Sequence, residues 1–324
     1  DGQVVHIVYS DATNGWIPIL DEATAYEPVV PVLNDNGIFA YGASPSITAV
    51  SNLVDSSGAV AADVSGVGTA RLLPGSCEYG GNKAIVGYGA APGATAITNL
   101  ISNTGVVSAD VAGVGTARSV NAAGDYGGDK GIFGYGYTSS DVAMTNLVSN
   151  TGVVAADVSG VGQTRYNPSA CEYSAEKDKC IFGYGYSHTP SGHMLSITNL
   201  VSNTGVMGTD VTGVGTARDN TAACSFGNEK GLFGYGTASP SGNYAATNMV
   251  SGTGVVATDT AGVGTARVTL GATQYGEDKG IFGYGTTSPA LQNVTNKVAN
   301  TGVVATDTTG VGTARVGVSG SSYG

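Results

Sequence analysis

Apolar residues along this chain come in short bursts, each closed by Gly, Asn, Asp or Ser before helical periodicity can build, as in "KGIFGYG" (130–136) and "TNLVSNTGVVAADVSGVG" (145–162). Such segments read as β-strands bounded by turns. Around these two stretches, strands are expected at 115–126, 129–137, 142–150 and 152–158. The pattern then recurs. A "GIFGYG"-like strand returns at 37–42, 84–89, 131–136, 180–185, 231–236 and 280–285, with a period of 47 to 51 residues. Six copies of one unit imply a continuous shared core and hence one domain, 37–324, behind a non-repeating segment, 1–36.

Two spacings inside the copy never vary. Asn52, Asn99, Asn146, Asn199, Asn248 and Asn296 precede Asp63, Asp110, Asp157, Asp210, Asp259 and Asp307 by 11 residues. Those aspartates precede Arg71, Arg118, Arg165, Arg218, Arg267 and Arg315 by 8. Groups present in every copy suit ion pairs or Arg-to-backbone bonds between neighbouring units, because a single active site would need only one copy to differ.

Variation collects elsewhere. From the last Gly of the "GYG" strand to the Asn, the interval runs 10, 10, 10, 14, 12 and 11 residues, and "CEYSAEKDKC" (171–180) stretches the Arg165 to Gly185 interval to 20 against 18 in the other complete ones. The variable stretches 43–48, 90–96, 137–143, 186–195, 237–245 and 286–292 are expected on one face, carrying Tyr137, Tyr186, His188, His193 and Tyr244. Aromatic rings and small polar groups on adaptable loops over a rigid scaffold suit protein or sugar recognition, with drift of unconstrained surface loops as the plain alternative.

Composition sharpens this picture. Gly is abundant at 52 residues without a collagen period, and the 41% apolar content supports a packed core. A net charge of −11 with only 13 Lys plus Arg argues against nucleic acid or an anionic membrane as partner. No apolar run reaches the roughly 18 residues of a membrane span. Cys171 and Cys180 could face each other across a hairpin as a disulfide or remain free thiols; Cys77 and Cys224 share the place of Cys171 in their copies, which suits a small apolar residue.

Candidate chemistry is thin. "GVGTAR" lacks the third glycine and following helix of a dinucleotide fingerprint, and "GGDKG" lacks phosphate-loop spacing. The three histidines are His6, His188 and His193; the last two share one loop with no Cys or carboxylate at ligand spacing beside them. "NVT" (293–295) would be a glycosylation acceptor in a eukaryotic secretory route and is otherwise a loop. No catalytic residue, cofactor or metal is expected.

The order "GVGTARSVNAAGDYGGDKGIFGYG" (113–136) resembles a kelch repeat, and the resemblance covers residues 37–324, with Gly-Tyr-Gly standing for the family's adjacent glycines and Val for its usual Trp. It implies an all-β fold, a six-bladed kelch-like β-propeller with four strands per blade. The chain would then start its first blade at the second strand, and "GTARVGVSGSSYG" (312–324) would supply the missing innermost strand and close the ring. The first 36 residues, which hold the only Trp, Trp16, read as an extended attachment arm. Arm and arrays such as "NTGVVATDTTGVGTAR" are similar to tailed-phage fibre and virion appendage proteins. This likeness implies a non-enzymatic virion surface or extracellular protein that recognises a host protein or glycan. Its partners through residues 1–36 would be other appendage subunits, further copies of itself among them. A purely structural appendage or capsid-decoration part is one alternative, and a propeller hydrolase or lyase another.

Overall fold

A computed structural model describes residues 7–13, 15–18, 35–240 and 242–324. The chain divides into two compact units, Asp1–Val32 and Leu33–Gly324. In the first, Ile7–Tyr9 pairs antiparallel with Trp16–Pro18. An extended arm was expected, but the chain folds back because Asp11 ties the turn, its carboxylate accepting the Thr13 N–H at 2.8 Å and its carbonyl the Gly15 N–H at 2.8 Å. Residues 1–6, 14 and 19–34 of the arm, His6 included, lie outside the described residues.

The second unit is all-β, and among the described residues it holds seven three-stranded antiparallel sheets: six that follow the repeat, numbered here in chain order, and a small one of Arg218–Asp219, Thr237–Ala238 and Gly242–Asn243. Sheet two joins Gly75–Tyr79, Lys83–Gly87 and Thr98–Ile101; sheet three joins Ala122–Tyr126, Lys130–Tyr137 and Asp141–Val148. Sheets four to six repeat the order with inner strands Ser169–Tyr173, Ala222–Phe226 and Gly271–Tyr275. Sheet one takes its inner strand from the far end of the chain: Ser319–Tyr323 pairs with Asn36–Ala40, which pairs with Ser51–Val54.

The expected fourth strand is only a trace. Its contacts in sheet three are the bridges Val148↔Val154 and Thr145↔Val158. One side advances three residues while the other advances four, so a bulge breaks the ladder. Asn146 fills the gap, its amide donating to the Ala155 carbonyl at 3.0 Å. The expected first strand, 115–126, is likewise shorter at Ala122–Tyr126, because Val120 turns to a left-handed φ of 52° just before it.

Each inner strand touches those of the sheets before and after it, and Ser319–Tyr323 touches Gly75–Tyr79, so the succession returns on itself. Two belts of main-chain hydrogen bonds follow the same circuit. At one end Gly42, Gly89, Gly136, Gly185, Gly236 and Gly285 donate to the carbonyls of Arg71, Arg118, Arg165, Arg218, Arg267 and Arg315. At the other, hairpin turns bond in sequence, from Gly80 N–H to Asp129 O through to Gly276 N–H to Asp35 O and Gly324 N–H to Asn82 O. Two cavities, of about 110 and 40 Å³, are each lined by all six inner strands.

The core is six apolar clusters, one between each neighbouring pair of sheets. The "KGIFG" strand is buried on both faces because each sheet is covered twice. Phe133, Phe182, Phe233, Phe282 and Phe39 each press on a glycine of the preceding sheet, where a Cβ would fall 2.8 to 3.0 Å from the ring. The same rings meet Tyr88, Tyr135, Tyr184, Tyr235 and Tyr284 at centroid distances of 5.1 to 5.7 Å. Such pairs contribute about 0.5–1.5 kcal/mol each beyond the burial of area.

All four cysteines are buried free thiols, which settles the disulfide alternative. Cys171 stands opposite Ile181 and Glu172 opposite Cys180, so one residue of offset sends the two side chains to opposite faces of the sheet. Each thiol fills a space left by glycine on a neighbouring sheet. Cys77 meets Gly131, Cys171 meets Gly231 and Cys224 meets Gly280, while Gly124 and Cys180 reverse the arrangement.

Candidate functional site

The six constant arginines join neighbouring sheets. Each is fully buried and stacks on the tyrosine of the preceding "GYG", at 3.8 to 4.5 Å from guanidinium carbon to ring centroid: Arg71 on Tyr41, Arg118 on Tyr88, Arg165 on Tyr135, Arg218 on Tyr184, Arg267 on Tyr235 and Arg315 on Tyr284. A desolvated stack of this kind contributes about 2 kcal/mol. All six tyrosines sit at φ of 61–65°, a left-handed backbone that non-glycine residues seldom adopt. Burial pushes the hydroxyls of Tyr135, Tyr184, Tyr235 and Tyr284 up to about 12 against the opposing pull of the arginines.

The constant aspartates complete the joint across copies, not with the Arg eight residues on. Asp210 lies 4.0 Å from Arg165, Asp259 3.5 Å from Arg218 and Asp63 3.7 Å from Arg315. Asp63 accepts the Thr313 hydroxyl at 2.5 Å and the Asn52 amide at 2.9 Å, and Asp110 and Asp157 do the same with Thr69 and Thr116. Burial opposes ionisation of Asp63, Asp110, Asp157, Asp259 and Asp307, yet these hydrogen bonds hold all five below the ordinary carboxylate range.

A different set of residues gathers where sheets three and four meet. Tyr137 extends the long middle strand of sheet three, and Tyr186 occupies the same place after the "GYG" of sheet four, where the other copies carry Ala43, Ala90, Thr237 and Thr286. Tyr166 directly follows Arg165 and bridges to Tyr186 across the strands. Its counterparts are Leu72, Ser119, Asp219, Val268 and Val316.

Tyr166 is 5.9 Å from Tyr137, 5.5 Å from Tyr186 and 5.2 Å from His188, which stacks on it with planes 24° apart. His188 also lies 5.9 Å from Tyr137 and 5.3 Å from Tyr186. The loop is anchored by Asp141, whose carboxylate accepts the His188 backbone N–H at 2.6 Å and meets its Nδ1 at 2.9 Å. Gln163, present where the other copies have Thr, donates to Ser187 Oγ at 2.8 Å and Thr189 O at 3.0 Å. The three tyrosines are half-buried and His188 is exposed, so the cluster presents ring faces and edges at the surface. Burial, and after it the charge of Asp219, raises the Tyr166 hydroxyl above its ordinary value.

Of the expected recognition residues, Tyr137, Tyr186 and His188 thus come together. His193 is exposed opposite Ser187, and Tyr244 lies 5.9 Å over Arg218, away from this cluster. Tyr166, Asp141 and Gln163 were not anticipated. Gln163 carries a signal in the sequence, since it is the one departure from Thr at its place in the repeat; Tyr166 stands at a place that varies among the copies, and Asp141 has no signal. Among the described residues no group of three His, Cys, Asp or Glu could hold a metal ion. No family model matches the chain, and no curated protein matches it.

Proposed function

We propose that the six sheets are the blades of a kelch-like β-propeller closed by Ser319–Tyr323, and that the protein is a non-enzymatic recognition module binding a host protein or glycan through its variable-loop face. The cyclic contacts of the inner strands and the two hydrogen-bond belts support the propeller. One observation carries the recognition: Gln163, which replaces a constant Thr, and the rings Tyr137, Tyr166, Tyr186 and His188, all at places where the copies vary, converge on a single junction. Half-exposed tyrosines suit stacking on a sugar or an apolar side chain, with polar tips free for hydrogen bonds. In this reading, supported by the likeness of the arrays to phage appendage proteins, the module would belong to a virion surface or tail fibre, with residues 1–36 as its attachment to other subunits. A purely structural part remains the second reading, favoured by Tyr9 and Trp16, which are 52% and 67% exposed in the first unit.

The test is binding of the whole chain to intact bacterial cells and a glycan array, beside Tyr166→Ala. Truncating a central aromatic anchor should weaken binding by roughly tenfold or more. Binding that survives Tyr166→Ala unchanged removes the junction from recognition, and a wild type that binds nothing leaves the structural part.

A further inference from the structure

His188 sits in the aromatic junction as an occupant. Its ring centroid lies 5.2 Å from that of Tyr166, on which it stacks, and 5.9 and 5.3 Å from those of Tyr137 and Tyr186, while Nδ1 is 2.9 Å from Asp141 Oδ1. An aromatic face within about 6 Å and a carboxylate at hydrogen-bond distance are what a cationic nitrogen needs. The imidazole is nonetheless loosely kept. The His188 side chain is 54% exposed, against 3% for that of Asp141. The loop has other anchors, since the His188 backbone N–H is held by Asp141 Oδ2 at 2.6 Å and Gln163 holds Ser187 and Thr189. Rotation about the Cα–Cβ bond would carry the ring into solvent and leave its place, and Oδ1, to another group.

The surroundings select that group. All six arginines are fully buried. The lysines stand at the opposite, hairpin-turn end, as Lys130, Lys179 and Lys230 do at the starts of their strands, save Lys297, which donates to Ser57 O at 2.9 Å. An anion therefore meets Asp141 and no Lys or Arg counter-charge at the junction, whereas a cation is drawn to it. Asp141 has a single oxygen to offer, because Oδ2 is engaged by the backbone. A guanidinium, whose fork grips both oxygens of a carboxylate, is mismatched, and a quaternary ammonium has no N–H to donate; a primary ammonium suits one acceptor. The place itself is that of a flat five-membered ring on one methylene. An unbranched methylene stem fits between the tyrosines there, and a pyranose ring bearing the amine does not.

We propose that the junction takes a lysine side chain of a host surface protein, its stem along Tyr166 and its ammonium on Asp141 Oδ1, with His188 as the built-in occupant that it displaces. The assignment rests on the proposal that the loop face recognises a host molecule, and it chooses protein over glycan.

The experiment titrates the full chain, by ligand-observed NMR, with Nα-acetyl-lysine methylamide, with the uncharged norleucine compound and with the methyl glycoside of glucosamine, and repeats the titrations with His188→Ala and Asp141→Asn. Wild type should prefer the lysine compound to the norleucine one by about tenfold. His188→Ala removes the competitor and should tighten lysine binding by about threefold or more, a gain that a misfolded variant does not imitate. Asp141→Asn, which still accepts the His188 backbone N–H, should bring the lysine and norleucine compounds to within about twofold. Wild type that does not separate lysine from norleucine, lysine binding that weakens in His188→Ala, a preference that survives Asp141→Asn, or the glucosamine glycoside bound as tightly as lysine overturns the lysine assignment; if the chain still binds cells, recognition stands. Failure to bind cells and compounds alike overturns both.

Discussion

Arg165 and Tyr166 are consecutive in the chain, yet they belong to different kinds of region. Arg165 recurs in every copy, is fully buried, and stacks on Tyr135 to join two sheets. Tyr166 occurs in one copy, is half-buried, and meets three other rings at the surface. The difference teaches how a repeat divides its labour. What every copy keeps makes the joints between sheets; what one copy changes is free to do something else.

The largest expected effect tests the joint at which the chain closes. Arg315 donates from Nε to Tyr41 O at 3.0 Å, pairs with Asp63 and stacks on Tyr284, so it ties the last sheet to the first. Arg315→Met keeps the length of the side chain but removes the charge and its hydrogen bonds. Breaking a buried, paired charge costs about 3–5 kcal/mol, to be read as a lower midpoint in urea denaturation. A loss under about 1 kcal/mol would mean that the constant arginines are decoration and that the comparison is wrong.

How much of this was legible in the sequence depends on how far apart the cooperating residues stand. The sheets were legible, because each strand carries its own turns and period. Gln163 was legible as the one departure from Thr within the repeat, though not as part of the loop that holds His188, and Tyr166, at a place that varies among the copies, was not legible. The broken fourth strand was hidden, since a one-residue bulge leaves no mark in the apolar pattern. The match of Cys171 to Gly231, or of Gly124 to Cys180, was also hidden, because each partner alone reads as an ordinary small residue on its own strand.

That match gives a smaller and sharper test. A Cβ on Gly231 would stand 2.4 Å from Cys171 Sγ, so Gly231→Ala should overpack the interface of sheets four and five and cost about 1–3 kcal/mol. Cys171→Gly in the same chain should return much of that loss, because the pair Gly124 and Cys180 already shows the exchanged arrangement at the preceding interface. A thermodynamic cycle of the two substitutions should show coupling of about 1 kcal/mol or more. Independent effects would place the constraint in the strand and not in the joint.

The smallest expected effect probes a departure that is walled in and not displayed. Glu78, Asp125 and Glu172 line the smaller cavity where other copies have Ser225, Gln274 and Ser322. Burial first, then the charges of Glu78 and Asp125, drives the Glu172 carboxyl well above its ordinary value, with Lys177 opposing. Burial likewise raises Asp125 to about 6, against the Glu78 N–H that it accepts at 2.5 Å and the charge of Lys177. A raised carboxyl favours the fold while protonated, so its contribution is complete below the ordinary pKa near 3.8 and disappears as pH rises through about 6. The five constant aspartates act in the opposite direction: their contribution is lost as pH falls below the ordinary carboxylate range. Stability should therefore peak at mildly acid pH, and Asp125→Asn, which keeps the acceptor oxygen, should raise the melting temperature at pH 7.5 and leave it unchanged near pH 4. The gain corresponds to about 1–2 kcal/mol. If Asp125→Asn instead destabilises the protein at both pH values, these carboxylates are joints like the arginines, and a departure from the repeat no longer marks a residue that the fold can spare.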